Sequence, residues 1–189
     1  MFSVEFFIRS ALLGVGLAMD ACAVSMANGF SEPKMRLGKQ AGIAGAFGFF
    51  QAAMPIAGFF IGVAVLAVIE KIIPYLALIM LGYIGGKMII GAIKEKEAEK
   101  GAAITFGTLM LQSLATSIDA LSVGFTMADS SIAEAFVMAG IIAFITFIIA
   151  FCGVEAGKRL GTKLGKKAEL LGGIILIGIG IEIFIKGII

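Results

Sequence analysis

The stretch LLGVGLAMDACAVSMANGF, residues 12–30, is almost wholly apolar and carries a single carboxylate, Asp20, at its centre. Its length approaches the roughly 20 apolar residues that cross a bilayer as a helix. A lone aspartate in such a helix costs about 2.5–3.5 kcal/mol on insertion scales, and intramembrane carboxylates are usually functional. The stretch therefore predicts a membrane helix in which Asp20 belongs to a site that offsets this cost.

The composition of the whole chain favours an integral membrane protein. Of its 189 residues, 60% are hydrophobic and 15% are charged, whereas soluble domains carry about 25% charged residues. The chain has no histidine, which removes the commonest zinc ligand and the usual side chain for proton transfer near neutral pH. Cys22 and Cys152 both lie in apolar segments and are interpreted as small buried side chains without a disulfide.

The apolar runs predict an all-α integral membrane protein with six transmembrane helices. Polar breaks at residues 31–40, 70–74, 94–101, 128–131 and 157–169 separate the runs. No run alternates with the period of two that a strand requires. The predicted spans are residues 10–30, 41–69, 72–93, 102–128, 132–154 and 170–189.

The orientation follows from the lysine and arginine residues in the loops. Eleven of them fall in the first, third and fifth loops, against Lys71 and Lys186 on the other side, with Arg9 at its margin. The positive-inside rule places the three basic loops in the cytoplasm and both termini outside it. The eleven residues are Lys34, Arg36, Lys39, Lys94, Lys96, Lys100, Lys158, Arg159, Lys163, Lys166 and Lys167.

Three pairs of segments repeat between the two halves of the chain. LAMDACAVSMA (17–27) matches TSIDALSVGFT (116–126), GFFIG (58–62) matches GVEAG (153–157), and IGGKMII (84–90) matches IGIEIFI (179–185). Each half holds three predicted spans, which is an odd number. The second repeat must therefore enter the membrane upside down relative to the first. The predicted units are residues 1–93 and 102–189, joined by a cytoplasmic linker at 94–101.

Inverted repeats are a transporter architecture, with the substrate site near the midplane where the halves meet. Asp20 and Asp119 are 99 residues apart in matching segments, each near the centre of its predicted helix. In an inverted repeat, equivalent residues lie at the same depth of the membrane only when they are at its centre. Because both aspartates are predicted at the centre, the two carboxylates can lie close together. Because two facing carboxylates repel, the pattern predicts a cation between Asp20 and Asp119.

Other polar residues are candidates for the transport pathway. Gln112, Thr116, Ser122 and Thr126 lie at −7, −3, +3 and +7 from Asp119, the spacing of one helix face. The alternative is that the hydroxyls only bond the preceding turn of their own helix.

Gln51 and Pro55 are four residues apart in the second predicted span. A proline removes the hydrogen bond to the carbonyl four residues earlier, so the amide and the freed carbonyl of Gln51 are candidate cation ligands. The alternative is a simple helix kink.

Asn28 and Met26 follow Asp20 toward the cytoplasmic end of the first helix. Asn28 is a candidate metal ligand, an entry residue or a helix cap. Met26 is either a packing residue or a thioether beside the pathway, which would favour softer transition metals. Lys87 and Glu182 are related by the repeat, but we expect each to extend to its nearer membrane interface and not to pair.

Four motifs, AMDACAVSMANG, ATSIDALSVG, GGKMI and KKAELLGG, resemble those of the bacterial manganese efflux pumps, the MntP family of the lysine-exporter superfamily. The resemblance implies export of Mn²⁺ through the cell (inner) membrane, with Asp20 and Asp119 as central residues and no cofactor. Some members of the family have a glutamate where this chain has the neutral Gln51.

The residues leave alternatives to manganese export open. An intramembrane aspartyl protease also sets two aspartates on facing helices, but the Gly-x-Gly-Asp expected before the second one is absent from TSIDA (116–120). A passive channel, an exporter of another divalent cation and an exporter of a cationic amino acid remain. No nucleotide-binding loop is present, so any energy must come from an ion gradient or a membrane gradient. The prediction is a transporter rather than an enzyme, driven by proton antiport, with the bilayer as partner and no nucleic acid.

Overall fold

The computed structural model describes residues 3–61, 63–93, 104–127, 130–164 and 166–188. Within these ranges the chain forms seven α-helices and no strand, so the predicted all-α class is confirmed. By length and composition, three of the described helical stretches are apolar enough to cross a membrane, Val4–Ser31, Leu37–Phe60 and Ile132–Lys163. The helices are α1 (Val4–Ser31), α2 (Leu37–Phe60), α3 (Val63–Ile93), α4 (Phe106–Thr116), α5 (Ile118–Thr126), α6 (Ile132–Leu164) and α7 (Lys166–Ile188).

Hydroxyl side chains define where several helices begin. Ser3 precedes α1 and accepts a hydrogen bond from the backbone N–H of Phe6. Thr105 precedes α4 and accepts one from the N–H of Thr108. These bonds satisfy amides that have no partner inside the helix. α6 begins with a capping box, in which Glu134 accepts from the N–H of Ser131 at 3.0 Å and the Ser131 hydroxyl accepts from the N–H of Glu134 at 3.3 Å.

The predicted second span, residues 41–69, is wrong at its C-terminal end. α2 ends at Phe60 and α3 begins at Val63, so the chain reverses within an apolar stretch that hydropathy cannot divide. The predicted break at residues 70–74 falls inside α3, which contains Pro74. A proline is tolerated in a membrane helix because neighbouring groups can satisfy the backbone it frees.

The predicted break at residues 157–169 is also largely helical. α6 continues to Leu164 and α7 begins at Lys166. At 1.5 Å per residue, the 33 residues of α6 exceed the roughly 30 Å of hydrocarbon. α6 is therefore long enough to extend past the hydrocarbon at its basic end. The basic residues continue the helix because lysine and arginine are good helix formers.

The predicted fourth span, residues 102–128, is not one continuous helix, because the helix is interrupted at Ser117. α4 ends at Thr116, and Ser117 closes a tight turn by donating its N–H to the carbonyl of Leu114 at 3.2 Å. The Thr116 hydroxyl donates to the carbonyl of Gln112 at 3.0 Å. Such side-chain bonds compete with the regular helical pattern. The interruption begins a new helix, α5, directly before Asp119.

Small residues set the distance between α1 and α6. Gly14 faces Ile142 in the first half of both helices, and Met26 faces Gly157 in their second half, so the two helices run parallel. A Cβ added at Gly157 would lie 2.2 Å from the carbonyl oxygen of Met26. The helices therefore pack backbone against backbone, as membrane helices with small residues at their interface do.

The remaining helices complete a bundle with an apolar exterior and a core that contains many alanines. α6 also packs against α2, α7 packs against α3 and α1, and α5 packs against α2. Alanine is frequent among the fully buried residues, as at Ala18, Ala21, Ala27, Ala44 and Ala150. Large apolar side chains point outward, including Leu12, Phe49, Tyr83 and Phe144. Such a surface suits lipid and not water, so the chain is a multi-pass membrane protein.

Candidate cation site

A cavity of about 340 Å³ lies between α1, α3, α4, α5 and α7. Both predicted aspartates line it, with Asp20 contributed by α1 and Asp119 by α5. The two carboxylates are close enough to interact electrostatically. The other described lining residues are Pro74, Ala115, Ile118, Ser122, Ile183 and Lys186. None of these is aromatic, so the cavity is lined by two acids, one amine, one hydroxyl and small or aliphatic groups.

The break at Ser117 determines the surroundings of Asp119. Because α5 begins at Ile118, Asp119 lies in the first turn of that helix, where the helix dipole and free amides favour negative charge. Its Oδ1 accepts a hydrogen bond from the N–H of Ala120 at 3.0 Å. A carboxylate can accept about four hydrogen bonds or ligand contacts, so this bond leaves further acceptor positions for an ion.

Asp20 has a different setting in the middle of the long helix α1. Its side chain is half-buried, and α1 continues unbroken on both sides of it. Ser122, which is three residues beyond Asp119 in α5, also lines the cavity. The site thus combines one carboxylate at a helix start with one on the side of a continuous helix.

Sequence reasoning missed two charged residues beside the aspartates. Lys186 lines the cavity, and its Nζ donates to Glu182 Oε1 at 2.6 Å. Both residues act electrostatically on Asp20. From the sequence, Glu182 is predicted to extend to a membrane interface, and Lys186 enters only the charge balance that predicts the orientation. The signal that was available is the glutamate-to-lysine spacing of four residues, which favours a pair on one helix face.

Gln51 contacts α1 one helical turn before Asp20 but does not line the cavity. It is fully buried, and its Nε2 donates to the backbone carbonyl of Leu17 at 2.7 Å. Its Oε1 has no hydrogen-bond partner among the described residues. Pro55 is buried on the same helix, and its carbonyl oxygen would lie 1.9 Å from a Cβ added at Gly124 of α5. Pro55 is therefore where α5 packs most closely against α2.

Asn28 lies outside the cavity and bonds to Gln112. The Asn28 Nδ2 donates to Gln112 Oε1 at 2.9 Å, and the Gln112 Nε2 donates to Asn28 Oδ1 at 3.2 Å. Both side chains are buried, so this reciprocal pair joins α1 to α4 away from the aspartates. In this conformation the side-chain oxygens of Asn28 and Gln112 accept hydrogen bonds from each other's amides. Neither oxygen is a ligand beside the aspartates.

Two further predicted pathway residues, Thr116 and Met26, do not line the cavity. Thr116 is buried, and its hydroxyl donates to carbonyls of the preceding turn, which is the alternative we left open for the hydroxyls. Met26 is half-buried where α1 meets Gly157 of α6. The side chain of Thr126 lies outside the described part of the structure.

The site is poor in charged ligands. In the described part of the chain, no group of three histidine, cysteine, aspartate or glutamate side chains is placed to hold a metal ion. Two carboxylates with oxygen neighbours suit a hard divalent cation. A site with few charged ligands also binds weakly enough to release its ion, as transport requires.

A multi-pass helical bundle with carboxylates on a cavity between its helices has the architecture of a membrane transport protein. Comparison with known proteins makes this more specific. A family model described as "Putative manganese efflux pump" matches residues 34–184. The chain belongs to this family, the MntP family. Its members are named as transporters, so the prediction of a transporter rather than an enzyme is confirmed, and the metal in the family's name is cargo and not a cofactor.

Similar proteins match nearly the full length of the chain. A protein of Methanosarcina mazei named "Putative manganese efflux pump MntP" is 40% identical over 179 residues, covering 94% of this chain and 95% of its own. "Putative manganese efflux pump MntP 2" of Clostridium botulinum strain Langeland is 42% identical, covering 95% and 94%. "Putative manganese efflux pump MntP 1" of Wolinella succinogenes is 40% identical, covering 95% and 97%. No solved structure matches the chain.

Proposed function

We propose that this protein exports Mn²⁺ from the cytoplasm and that Asp20 and Asp119 are the carboxylates that hold the ion. The observation that carries the proposal is that both aspartates line one cavity in a chain that belongs to a family of manganese efflux pumps. Mn²⁺ accepts oxygen ligands readily, and its two charges balance two carboxylates. The absence of an aromatic side chain among the described lining residues suits a bare ion better than a cationic amino acid.

Contacts between equivalent residues support two inverted three-helix repeats, residues 1–93 and 102–189, within a fold of six spans in which α4 and α5 together form the fourth. When two repeats are related by a two-fold axis, residues close to the axis contact the equivalent residues of the other repeat. The segments 58–62 and 153–157 match with an offset of 95 residues, and Gly48 meets Ala143 at that same offset. Asp20 and Asp119 likewise share the cavity.

The contact of α3 with α7 supports the same symmetry in a different register. A Cβ at Gly85 would lie 2.5 Å from the carbonyl oxygen of Gly173, and one at Gly173 would lie 2.6 Å from that of Gly85. This reciprocity favours Gly85 and Gly173 as counterparts. We therefore propose a match shifted by seven residues in place of the match between 84–90 and 179–185.

The proposed orientation has the basic ends of the helices in the cytoplasm and both termini outside. Lys39 at the start of α2 pairs with Glu32 at the end of α1. Lys158 near the end of α6 donates to Gln40 of α2 at 2.9 Å. These contacts bring two of the predicted basic loops to one end of the molecule, which the positive-inside rule assigns to the cytoplasm. The linker at 94–101 lies outside the described residues.

The cavity then faces the outer side of the membrane. Lys186, which lines it, lies in the last turn of α7, at the end opposite the basic residues. The pair of Asn28 and Gln112 lies on the cytoplasmic side, since Asn28 is eight residues, or about 12 Å, beyond Asp20 along α1. We therefore assign Asn28 and Gln112 to the closure of the cytoplasmic path and no longer to the ligand set.

Gln51 stays a proposed member of the cation shell. Its Oε1 has no partner among the described residues, and its Nε2 is bonded one turn from Asp20. A small shift between α1 and α2 would bring this oxygen toward the ion. The carbonyl of Gln51, freed by Pro55, is the second ligand we assign to this residue.

Proton antiport is the proposed source of energy. Two ionised carboxylates in a poorly hydrated cavity repel each other once the metal has left, so binding of at least one proton stabilises the empty carrier. A proton taken up from outside and released inside would compete with Mn²⁺ for the same oxygens. This mechanism needs no histidine, and the chain has none.

Metal accumulation in cells that lack their own manganese exporter tests the proposal. We expect the wild-type gene to lower cellular manganese, and Asp20→Ala and Asp119→Ala each to abolish this effect while the protein remains inserted and folded. Glu32→Gln is the matched control, because it removes a carboxylate of a surface ion pair. Parallel measurements with iron, cobalt and cadmium define the selectivity. Wild-type export by either aspartate variant would disprove the site.

A further inference from the structure

Glu182 is a third carboxylate next to the aspartate site, and its ion pair with Lys186 neutralises its charge. Lys186 lines the cavity with both aspartates, and its ammonium contacts Glu182 at 2.6 Å. Glu182 acts electrostatically on Asp20, and Lys186 acts on both aspartates. The four side chains therefore form one group of charges on three different helices.

We propose that Lys186 sets the affinity of the export site by occupying Glu182, so that this glutamate does not become a third carboxylate ligand of the transported ion. The inference rests on the proposed function, because it takes Asp20 and Asp119 as the ion's ligands. Lys186 does not touch the ion. It acts through Glu182, and is a residue that determines affinity.

We expect Glu182 to turn toward the cavity if Lys186 is removed. The Glu182 side chain is 52% exposed and the Lys186 side chain 69% exposed, so little packing holds either one in place. The cavity of about 340 Å³ has room for a glutamate to change rotamer. Within the described residues no three acidic side chains are now placed to hold a metal, which is the arrangement expected while Glu182 remains on Lys186.

A two-carboxylate site has a functional advantage for an exporter. The affinity of oxygen sites for divalent cations rises steeply with the number of charged ligands. A site that faces outward must release its ion, and slow release commonly limits turnover. Lys186 lies in the last turn of α7, toward the proposed outer side. It therefore weakens binding at the step where the ion departs.

Mn²⁺ binding to the purified full-length protein tests the inference, with the electron paramagnetic resonance signal of free Mn²⁺ as the readout. In Lys186→Gln we expect a Kd roughly ten-fold lower than in the wild type, because a third charged ligand becomes available. Turnover in proteoliposomes should fall in the same variant, since release becomes slower. Lys186→Arg keeps the ion pair and should behave as the wild type. Lys87→Gln, which removes an exposed lysine of α3, is the control for net charge.

The double variant Glu182→Gln/Lys186→Gln separates this inference from simple charge repulsion. If Glu182 becomes the third ligand, removing it as well should return the Kd close to the wild-type value. If the double variant binds as tightly as Lys186→Gln alone, the loss of positive charge explains the effect and the inference is wrong. An unchanged Kd in Lys186→Gln would also overturn it.

The aspartate variants distinguish this failure from failure of the proposed function. Asp20→Asn and Asp119→Asn should lose Mn²⁺ binding whatever Lys186 does. If they bind like the wild type, the aspartate site itself is wrong. If they lose binding while Lys186→Gln equals Lys87→Gln, only the role of Lys186 fails.

Discussion

At the scale of single residues, the reciprocal amide pair joins two helices at a buried position. Asn28 and Gln112 are 84 residues apart, and each is both donor and acceptor to the other. A buried amide without a partner costs about 1–3 kcal/mol, whereas replacing both partners by apolar groups can be nearly neutral. The pair therefore stabilises the contact of α1 with α4 only while both members are present.

We predict that Gln112→Leu lowers the free energy of unfolding in detergent by about 1–3 kcal/mol, because it leaves the buried Asn28 amide unpaired. The double variant Asn28→Leu/Gln112→Leu should regain much of this loss, since no amide is then buried alone. Thermal unfolding of the three purified proteins measures both effects. Mn²⁺ affinity should be unchanged in the double variant, and a loss of affinity there would return Asn28 to the set of metal ligands.

At the scale of helices, the parallel contact of α1 with α6 fixes the position of Asp20. The contact depends on positions where no Cβ fits, of which Gly157 is one of the tightest. Van der Waals packing at small residues is a main source of attraction between membrane helices, because lipid removes the hydrophobic driving force. The packing of α6 therefore decides the rotation of α1, and with it the direction in which Asp20 points.

We predict that Gly157→Ala destabilises the protein by about 1–3 kcal/mol, because its Cβ would lie 2.2 Å from the backbone oxygen of Met26 and the helices must separate to accept it. Gly140→Ala is the matched control on the same helix, since a Cβ there meets nothing within 4 Å. Alanine at that position should be neutral or raise stability by up to about 1 kcal/mol through helix propensity. Equal unfolding temperatures for the two variants would contradict this account of the α1–α6 contact.

At the scale of the whole molecule, the proposed cycle exchanges one metal ion for protons at a single pair of carboxylates. The two proposed repeats meet at the cavity, and rocking of one repeat against the other would expose the same site to each side in turn. Metal and proton then share the oxygens of Asp20 and Asp119 without a separate proton path.

We predict that a pH gradient drives manganese transport in proteoliposomes with the membrane potential clamped. The metal should accumulate on the acidic side, the side equivalent to the cell exterior, because protons that move down their gradient displace Mn²⁺ from the aspartates. Protein with Asp119→Ala is the control for leakage. Transport by the wild type that is indifferent to the gradient would favour a uniporter or a channel.

Much of this protein is determined by local sequence. Apolar runs predict the helical class and most helix positions, because the energetics of burial in lipid depends on each segment separately. The repeat of LAMDACAVSMA by TSIDALSVGFT singles out Asp20 and Asp119, and the cost of a carboxylate in lipid marks them as functional. The basic segments predict an orientation for the same reason, since each acts through its own charge.

The tertiary structure decided what hydropathy and spacing do not encode. The chain reverses between Phe60 and Val63 within an apolar stretch, and its helix breaks at Ser117. Neither feature changes the mean hydropathy of a window of residues. The position of Lys186 on the aspartate cavity and the pairing of Asn28 with Gln112 depend on how each helix is rotated about its axis. That rotation is set by close packing at small residues contributed by other helices, such as Gly157 and Gly173, and no single segment contains this information.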